Sequence, residues 1–483
     1  MIRLLAFRNI AYRPWRSLLL FFGYGVGVAV MIVLLSIGEA MLTQARSERL
    51  VGGGSVTVLP EGLDVEVMKT GGIGGLFFSI DNASFLYRQL LASPRFRKDI
   101  SAVAPQIEGR VLYVRVPDGT EHAVHALGEI PSTNTAVGAG AGIIEGDWQN
   151  DEGDRRWIAP TLAELRHEID RFHLPPDGIA NRESWGEWHY FNVLSHGGRR
   201  WAFISFIVGG DVTGTKWGGN LGITLREQEG RTRKFADTVD RSRVRFSTTD
   251  ADLAVGDSRV TVLPNGDYRV TASAREEGRA GRIDISLTIT PAANAYFPGV
   301  SMGSGDFVSG YTVPALRATA SGTLCVDGVC ETLEQAQAYH DHNWGVWKGV
   351  TWEWGASRAG QYTFLYGRVH SPDSTASVPP VLVYLVDSLG FRAVFRPTAI
   401  SYEDGRKARA GGREIAVPSR AVLFDERDGD TLRIELAIED AMATEIRPRQ
   451  PYFIQMKGTA RISGRLSGER LEGMGIGFFE TFR

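Results

Sequence analysis

The chain has 483 residues, 43 % hydrophobic and 23 % charged, with 57 Gly and 20 Pro. This is a globular composition, on a length that predicts two to four folded units rather than one core. Its 53 Lys and Arg against 56 Asp and Glu leave a formal charge of -3, so there is no basic field to hold DNA or RNA and no nucleic-acid partner is expected. A mean hydropathy of -0.12 excludes a polytopic membrane protein but leaves room for one spanning helix.

Residues 17–38 (SLLLFFGYGVGVAVMIVLLSIG) carry no charge and exceed the ~20 apolar residues needed to cross a hydrocarbon core, which predicts a transmembrane helix. Arg3, Arg8, Arg13 and Arg16 precede it without an acidic residue, whereas Glu39, Arg46, Glu48 and Arg49 follow as a balanced mixture. By the positive-inside rule residues 1–16 are a cytoplasmic basic tail and the bulk of the chain lies across the membrane. A cleaved signal peptide would have a shorter apolar core of ~7–15 residues, so a retained anchor is predicted. Gly23 and Gly27 stand at the small-xxx-small spacing that lets helix backbones approach, although glycine is also common in membrane helices.

In the segment 41–160 a small α+β domain is expected. Ser55 to Pro60 alternates like a strand, Asn82 can cap a helix carrying Phe85, Leu86, Leu90 and Leu91, and strands are predicted over 101–106, 110–116 and 122–127 with a turn at Asp118-Gly119. Residues 131–143 are small and flexible in composition. Thr161-x-x-Glu164 after Pro160 is a capping box opening a helix that buries Leu162, Leu165, Ile169 and Phe172 and stops at Pro175-Pro176, so 161–180 reads as a helix and linker.

From about residue 181 the pattern changes to short alternating runs such as WAFISFIV, DYRVTASA, IDISLTIT and TLRIELAI. Turn signals at Gly197-Gly198, Asn265-Gly266, Asp327-Gly328 and Asp428-Gly429 separate them. The chain is therefore mainly β, and the length predicts two barrel or sandwich domains in tandem, 181–345 and 346–483. The two cysteines, Cys325 and Cys330, flank the Asp327-Gly328 turn. As a non-hydrogen-bonded pair their Cα atoms would lie ~4.5 Å apart, which suits a disulfide; otherwise they are two small apolar residues. No zinc pattern is present.

Eight of the 11 tryptophans fall in this region: Trp185, Trp188, Trp201, Trp217, Trp344, Trp347, Trp352 and Trp354. They line an aromatic cavity or fill a barrel core with large rings. In the densest segment, 339–345, a strand would put Tyr339, Asp341 and Asn343 on one face and His340 and His342 on the other. An acid among aromatic rings is desolvated, which raises its pKa and lets it keep a proton to donate; Asp341 is the candidate acid, with a backbone-tying carboxylate as the alternative. Trp185, Trp188, Tyr190, Asn343, Trp344, Trp352 and Trp354 are the candidate ligand-binding residues. His340, His342 and His189 form a conceivable three-His set, but no fourth-ligand signal accompanies them, so no metal is expected and hydrogen-bonded histidines are. Glu353 should face away from Trp352 and Trp354, toward a strand-edge salt bridge. Hydrolase, P-loop, dinucleotide and zincin motifs are absent from the sequence, and no cofactor is expected.

The strings AYHDHNWG (338–345), EWHYFNVL (187–194), WEWG (352–355) and GIGFFE (475–480) resemble the carotenoid 1,2-hydratase (hydroxyneurosporene synthase) and AttH-like superfamily over about 180–483. The resemblance implies two lipocalin-like β domains. It also implies a Tyr-x-Asp pair, here Tyr339 and Asp341, that protonates a terminal C=C bond to a tertiary cation captured by water; related fungal members are pericyclases. The first ~160 residues are similar to the start of a MacB/FtsX-type ABC transporter permease, with its three further membrane helices missing. Together these likenesses imply a protein of the bacterial inner membrane, single-pass and mostly periplasmic. It would bind a hydrophobic, isoprenoid- or lipid-like molecule, with an ABC-type permease or ATPase as partner; the alternative is a hydratase or isomerase acting through Asp341.

Overall fold

The computed structural model describes residues 12–46, 56, 58, 86–87, 89–91, 93–138, 161–195, 200–227, 231–304, 307–372, 378, 380–427, 429–445 and 451–482. The chain divides into two compact units, residues 1–78 with 102–151 and residues 79–101 with 152–483.

In the smaller unit helix α1 (Pro14–Arg46) contains the apolar stretch Pro14–Ile37. At ~1.5 Å per residue that stretch matches the ~30 Å of a bilayer core, as a membrane anchor or a signal segment. Strands β1 (Gln106–Arg115) and β2 (Glu121–Glu129) pair antiparallel. Their turn is fixed by Asp118, whose Oδ1 accepts from the Thr120 amide at 2.8 Å. The separate strand expected over 101–106 does not form; pairing begins only at Gln106. The segment expected to be flexible from 131 opens instead with a short helix α2 (Pro131–Ala136), because Pro131 at its start has a φ already helical and no N–H to lose. The expected Asn82 cap with Phe85 lies outside the described residues, as does the 55–60 strand except for Val56 and Val58.

The larger unit begins at helix α3 (Leu162–Ile169), which has the capping box in full: Glu164 N donates to Thr161 Oγ1 at 3.2 Å and Thr161 N to Glu164 Oε2 at 2.8 Å. Ile169 and Phe172 beyond it are buried. The first sheet follows: β3 (Trp185–Leu194), β4 (Arg200–Gly210), β5 (Trp217–Glu227), β6 (Thr232–Asp240), β7 (Val244–Phe246), β8 (Asp252–Val255), β9 (Ser258–Val262), β10 (Tyr268–Glu276), β11 (Arg282–Pro291), β12 (Phe297–Ser304), β13 (Phe307–Val326) and β14 (Val329–Val346). Eight of these strands close on themselves in the order β11-β13-β14-β3-β4-β5-β6-β10, with β10 pairing back to β11. This is an antiparallel barrel of the lipocalin strand number, narrow enough for side chains to fill. Alternation fills it, with Tyr268, Val270, Ala272 and Ala274 inward on β10 and Ile283, Ile285, Leu287 and Ile289 on β11.

The second sheet has nine strands: β15 (Thr351–Ala359), β16 (Tyr362–His370), β17 (Leu382–Asp387), β18 (Gly390–Phe395), β19 (Ile400–Ala410), β20 (Arg413–Arg427), β21 (Asp430–Thr444), β22 (Phe453–Leu466) and β23 (Glu469–Phe482), in the order β18-β17-β16-β15-β23-β22-β21-β20-β19. It has its own core around Phe364, Tyr366, Ile434 and Phe479. A third apolar cluster joins the two sheets, with Tyr190, Phe203, Tyr311 and Tyr339 from the first and Trp354, Leu365, Tyr384 and Phe478 from the second. As a result the facing stretches of β3 and β14 are buried on both sides.

At the β13–β14 turn Asp327 and Gly328 both take positive φ, 52° and 80°, the two-residue type I′ hairpin that follows the strand twist. Val326 pairs with Val329, Cys325 pairs with Cys330, and the cysteines are joined by a disulfide.

Candidate functional site

Strand alternation sorts the candidate residues onto two surfaces. On β14, Tyr339, Asp341 and Asn343 face the second sheet opposite Asn192, Tyr190 and Trp188 of β3, while His340, His342 and Trp344 face the barrel interior opposite Phe191, His189 and Glu187. Trp188, Tyr190, Trp352 and Trp354 join the inter-sheet cluster. Trp185 and Trp344 point the other way, into the barrel core; Trp344 stacks on His173 with ring centroids 3.6 Å apart. The expected wall of rings is thus divided between two surfaces. Room for Trp354 comes from Gly367, where a Cβ would lie 2.6 Å from its ring. Glu353 faces away from the rings and is held by Arg368 at 2.6 and 3.0 Å and by His370 at 2.9 Å.

Between the sheets two carboxyls are buried among aromatic rings. Asp341 Oδ1 accepts from Asn343 Nδ2 at 2.7 Å, and its carboxyl hydrogen-bonds the Tyr339 hydroxyl, which accepts from Trp354 Nε1 at 2.9 Å. Glu480 accepts from Trp352 Nε1 at 3.0 Å and from Gln455 Nε2 at 3.4 Å, and that same amide reaches Tyr190 OH at 3.4 Å. Loss of water pushes Asp341 up to about 6, against its hydrogen bonds from Tyr339 and Asn343. Burial, with the Asp341 charge adding, pushes Glu480 up to about 7. The same burial holds the Tyr339 and Tyr190 phenols well above their usual range.

Beside this network a narrow cleft, open to solvent and with about 20 Å3 of free space, runs between the sheets and is lined by Asn192, Trp201, Tyr339, Arg358, Lys457 and Phe478 among others. Tyr339 is the link, since its ring lines the cleft and its hydroxyl meets Asp341, which itself stands behind the wall. Glu480 and Gln455 were not singled out from sequence. Glu480 closes the GIGFFE string and alternates with Phe478, the only signal that could have placed it on the inner face.

The barrel interior holds a second polar group. Asp170, just past α3, places Oδ2 2.9 Å from His340 Nε2 and Oδ1 2.8 Å from His342 Nδ1 and 3.5 Å from His189 Nδ1. His340 Nδ1 meets Tyr190 O at 3.0 Å, and His342 Nε2 meets Glu187 Oε1 at 2.8 Å. Glu187 also accepts from the His173 amide at 2.8 Å. Burial opposes the charge on His342, but the adjoining carboxylates of Asp170 and Glu187 outweigh this and raise it to about 9; His189 is driven well down by burial and by the neighbouring His342. The three histidines converge as a set, and Asp170, Glu187 and His173 join them although sequence reasoning left all three out.

No family model matches the chain, and no curated protein matches it. Among solved structures it is similar to a candidate AttH of Nitrosomonas europaea at 14 % identity over 64 % of this chain and 97 % of that one, with a TM-score of 0.43. It is similar to kievitone hydratase from Nectria haematococca at 11 % identity over 65 % and 97 %, with a TM-score of 0.42. A structure of CghA with Sch210972 aligns at 15 % identity over 65 % and 97 %, with a TM-score of 0.40. The likeness of the N-terminal segment to ABC permeases finds no counterpart in these comparisons.

Proposed function

We propose that the protein binds a hydrophobic alkene of isoprenoid type in the cleft between its two sheets and adds a proton to the double bond, as a hydratase or isomerase. The observation that carries this reading is the junction of Asp341, a carboxyl poised near pH 6, with a phenol that lines the cleft. A tyrosine hydroxyl has one hydrogen and two acceptor positions. When Asp341 is protonated and donates to Tyr339, both acceptor positions are taken, by Asp341 and by Trp354 Nε1, and the Tyr339 hydrogen is left to point into the cleft.

In the step that follows, Tyr339 gives its proton to the less substituted alkene carbon while the Asp341 proton moves onto the tyrosine oxygen. The C=C π pair forms the new C–H bond, and the cation develops at the tertiary carbon. Tyr339 stays neutral throughout, as its raised pKa requires, and the Asp341 carboxylate left behind stabilises the cation. Water adds to the cation and returns a proton to Asp341 through the same hydroxyl, giving the tertiary alcohol; loss of a neighbouring C–H proton instead gives the isomer. No redox partner is needed. The apolar N-terminal helix suits a lipid-soluble substrate, and an ABC-type export partner belongs to the proposal through the N-terminal likeness alone.

The test is turnover and binding of an acyclic carotenoid by the detergent-solubilised chain. The proposal expects an alcohol or isomer from wild type, no product from Asp341→Asn and nearly unchanged quenching of tryptophan fluorescence in both. A carrier role without chemistry is favoured by one feature, the position of Asp341 behind the cleft wall; binding by both forms without product from either would establish it.

A further inference from the structure

We propose that the barrel interior holds one divalent transition-metal ion of the zinc class, bound by Asp170, His189 and His340. Two donors that each stand ~2.0–2.1 Å from a tetrahedral ion lie about 3.3 Å from one another. Asp170 Oδ2 lies 2.9 Å from His340 Nε2 and Oδ1 lies 3.5 Å from His189 Nδ1, on either side of that spacing. Asp170 Oδ1 and His189 Nδ1 are fully buried and, close as they are, neither has an aligned hydrogen-bond partner.

The outer contacts agree. A ligating imidazole fixes its free nitrogen by donating to a carboxylate or backbone carbonyl. His340 does this with Nδ1 to Tyr190 O at 3.0 Å. A dication with neutral His189 and His340 also offsets the buried charge of Asp170. Full burial of the three donors assigns the ion a structural role: it pins the chain after α3, through Asp170, to β3 and β14 behind Asp341. Because the donors are at most 2 % exposed, the ion is taken up as the barrel closes.

The full chain, produced in cells grown with Co2+ in the medium and purified in detergent, should carry about one Co2+ per chain with the strong visible absorption of a tetrahedral site. Asp170→Asn and His189→Gln should each lower the bound cobalt at least ~10-fold. A wild-type chain with less than about a tenth of an equivalent of metal, or an Asp170→Asn chain that keeps the wild-type content and spectrum, would overturn the assignment. If both variants fail to fold, the wild-type stoichiometry and spectrum decide alone, because a weak octahedral spectrum also rejects a tetrahedral histidine site.

Discussion

Replacing Asp341 by Asn removes a buried acid while keeping its shape, and the stability of the variant relative to wild type should rise with pH. In the wild type burial raises the Asp341 pKa from 3.8 to about 6, which at ~1.36 kcal/mol per unit is about 3 kcal/mol. Because the folded value lies above the unfolded one, the stabilising contribution is whole below pH 3.8 and is lost as pH rises through about 6. The neutral amide of the Asp341→Asn variant carries no such penalty. Its carbonyl still accepts from Asn343 and its NH2 group donates to Tyr339 as the protonated carboxyl does, so below the pKa the two forms make the same hydrogen bonds. The variant should therefore match wild type within about 1 kcal/mol near pH 4 and be about 3 kcal/mol more stable near pH 8. Urea unfolding of the detergent-solubilised chain, followed by tryptophan fluorescence, measures the difference. A difference that does not vary with pH would refute the desolvated carboxyl and with it the acid.

Tyr339→Phe should leave the core packed but orphan the indole N–H of Trp354, costing about 1–3 kcal/mol in urea unfolding, and should abolish product while a carotenoid still quenches fluorescence. The disulfide closes a loop with a sequence separation of only 5. Cys325→Ser with Cys330→Ser should thus keep the fold and lose about 2 kcal/mol, and free alkylatable thiols in protein from an oxidising compartment would contradict the bond. A reporter fused after residue 60 should be active only outside the cytoplasm if the arginines before the apolar helix orient it; cytoplasmic activity would reverse the topology.

Much of this arrangement is legible in strand parity. Period-two alternation separates Tyr339, Asp341 and Asn343 from His340 and His342, and the structure keeps that division. The same parity separates Trp185 from Trp188 and sets Trp344 beside the histidines, so grouping all of them into one ligand wall contradicted the alternation already present in the sequence. What parity cannot convey is that both faces of β14 are buried, one by the barrel and one by a second sheet, which makes two sites of one motif. Asp170 was illegible for another reason. It stands 170 residues before His340, in a segment read as a linker, and only the return of that segment into the barrel gives it a role. Glu480 needed the pairing of β15 with β23 to come beside Trp352.

Deuterium uptake measures most directly whether Asp341 supplies a proton, through Tyr339, to a hydrophobic double bond. An acyclic carotenoid incubated with the solubilised chain in D2O and analysed by mass spectrometry should gain one non-exchangeable deuterium per product molecule with wild type and none with Asp341→Asn, at a rate that falls as pH rises through about 6. Substrate recovered without deuterium from wild type, or equal deuterium from the Asp341→Asn chain, would contradict it.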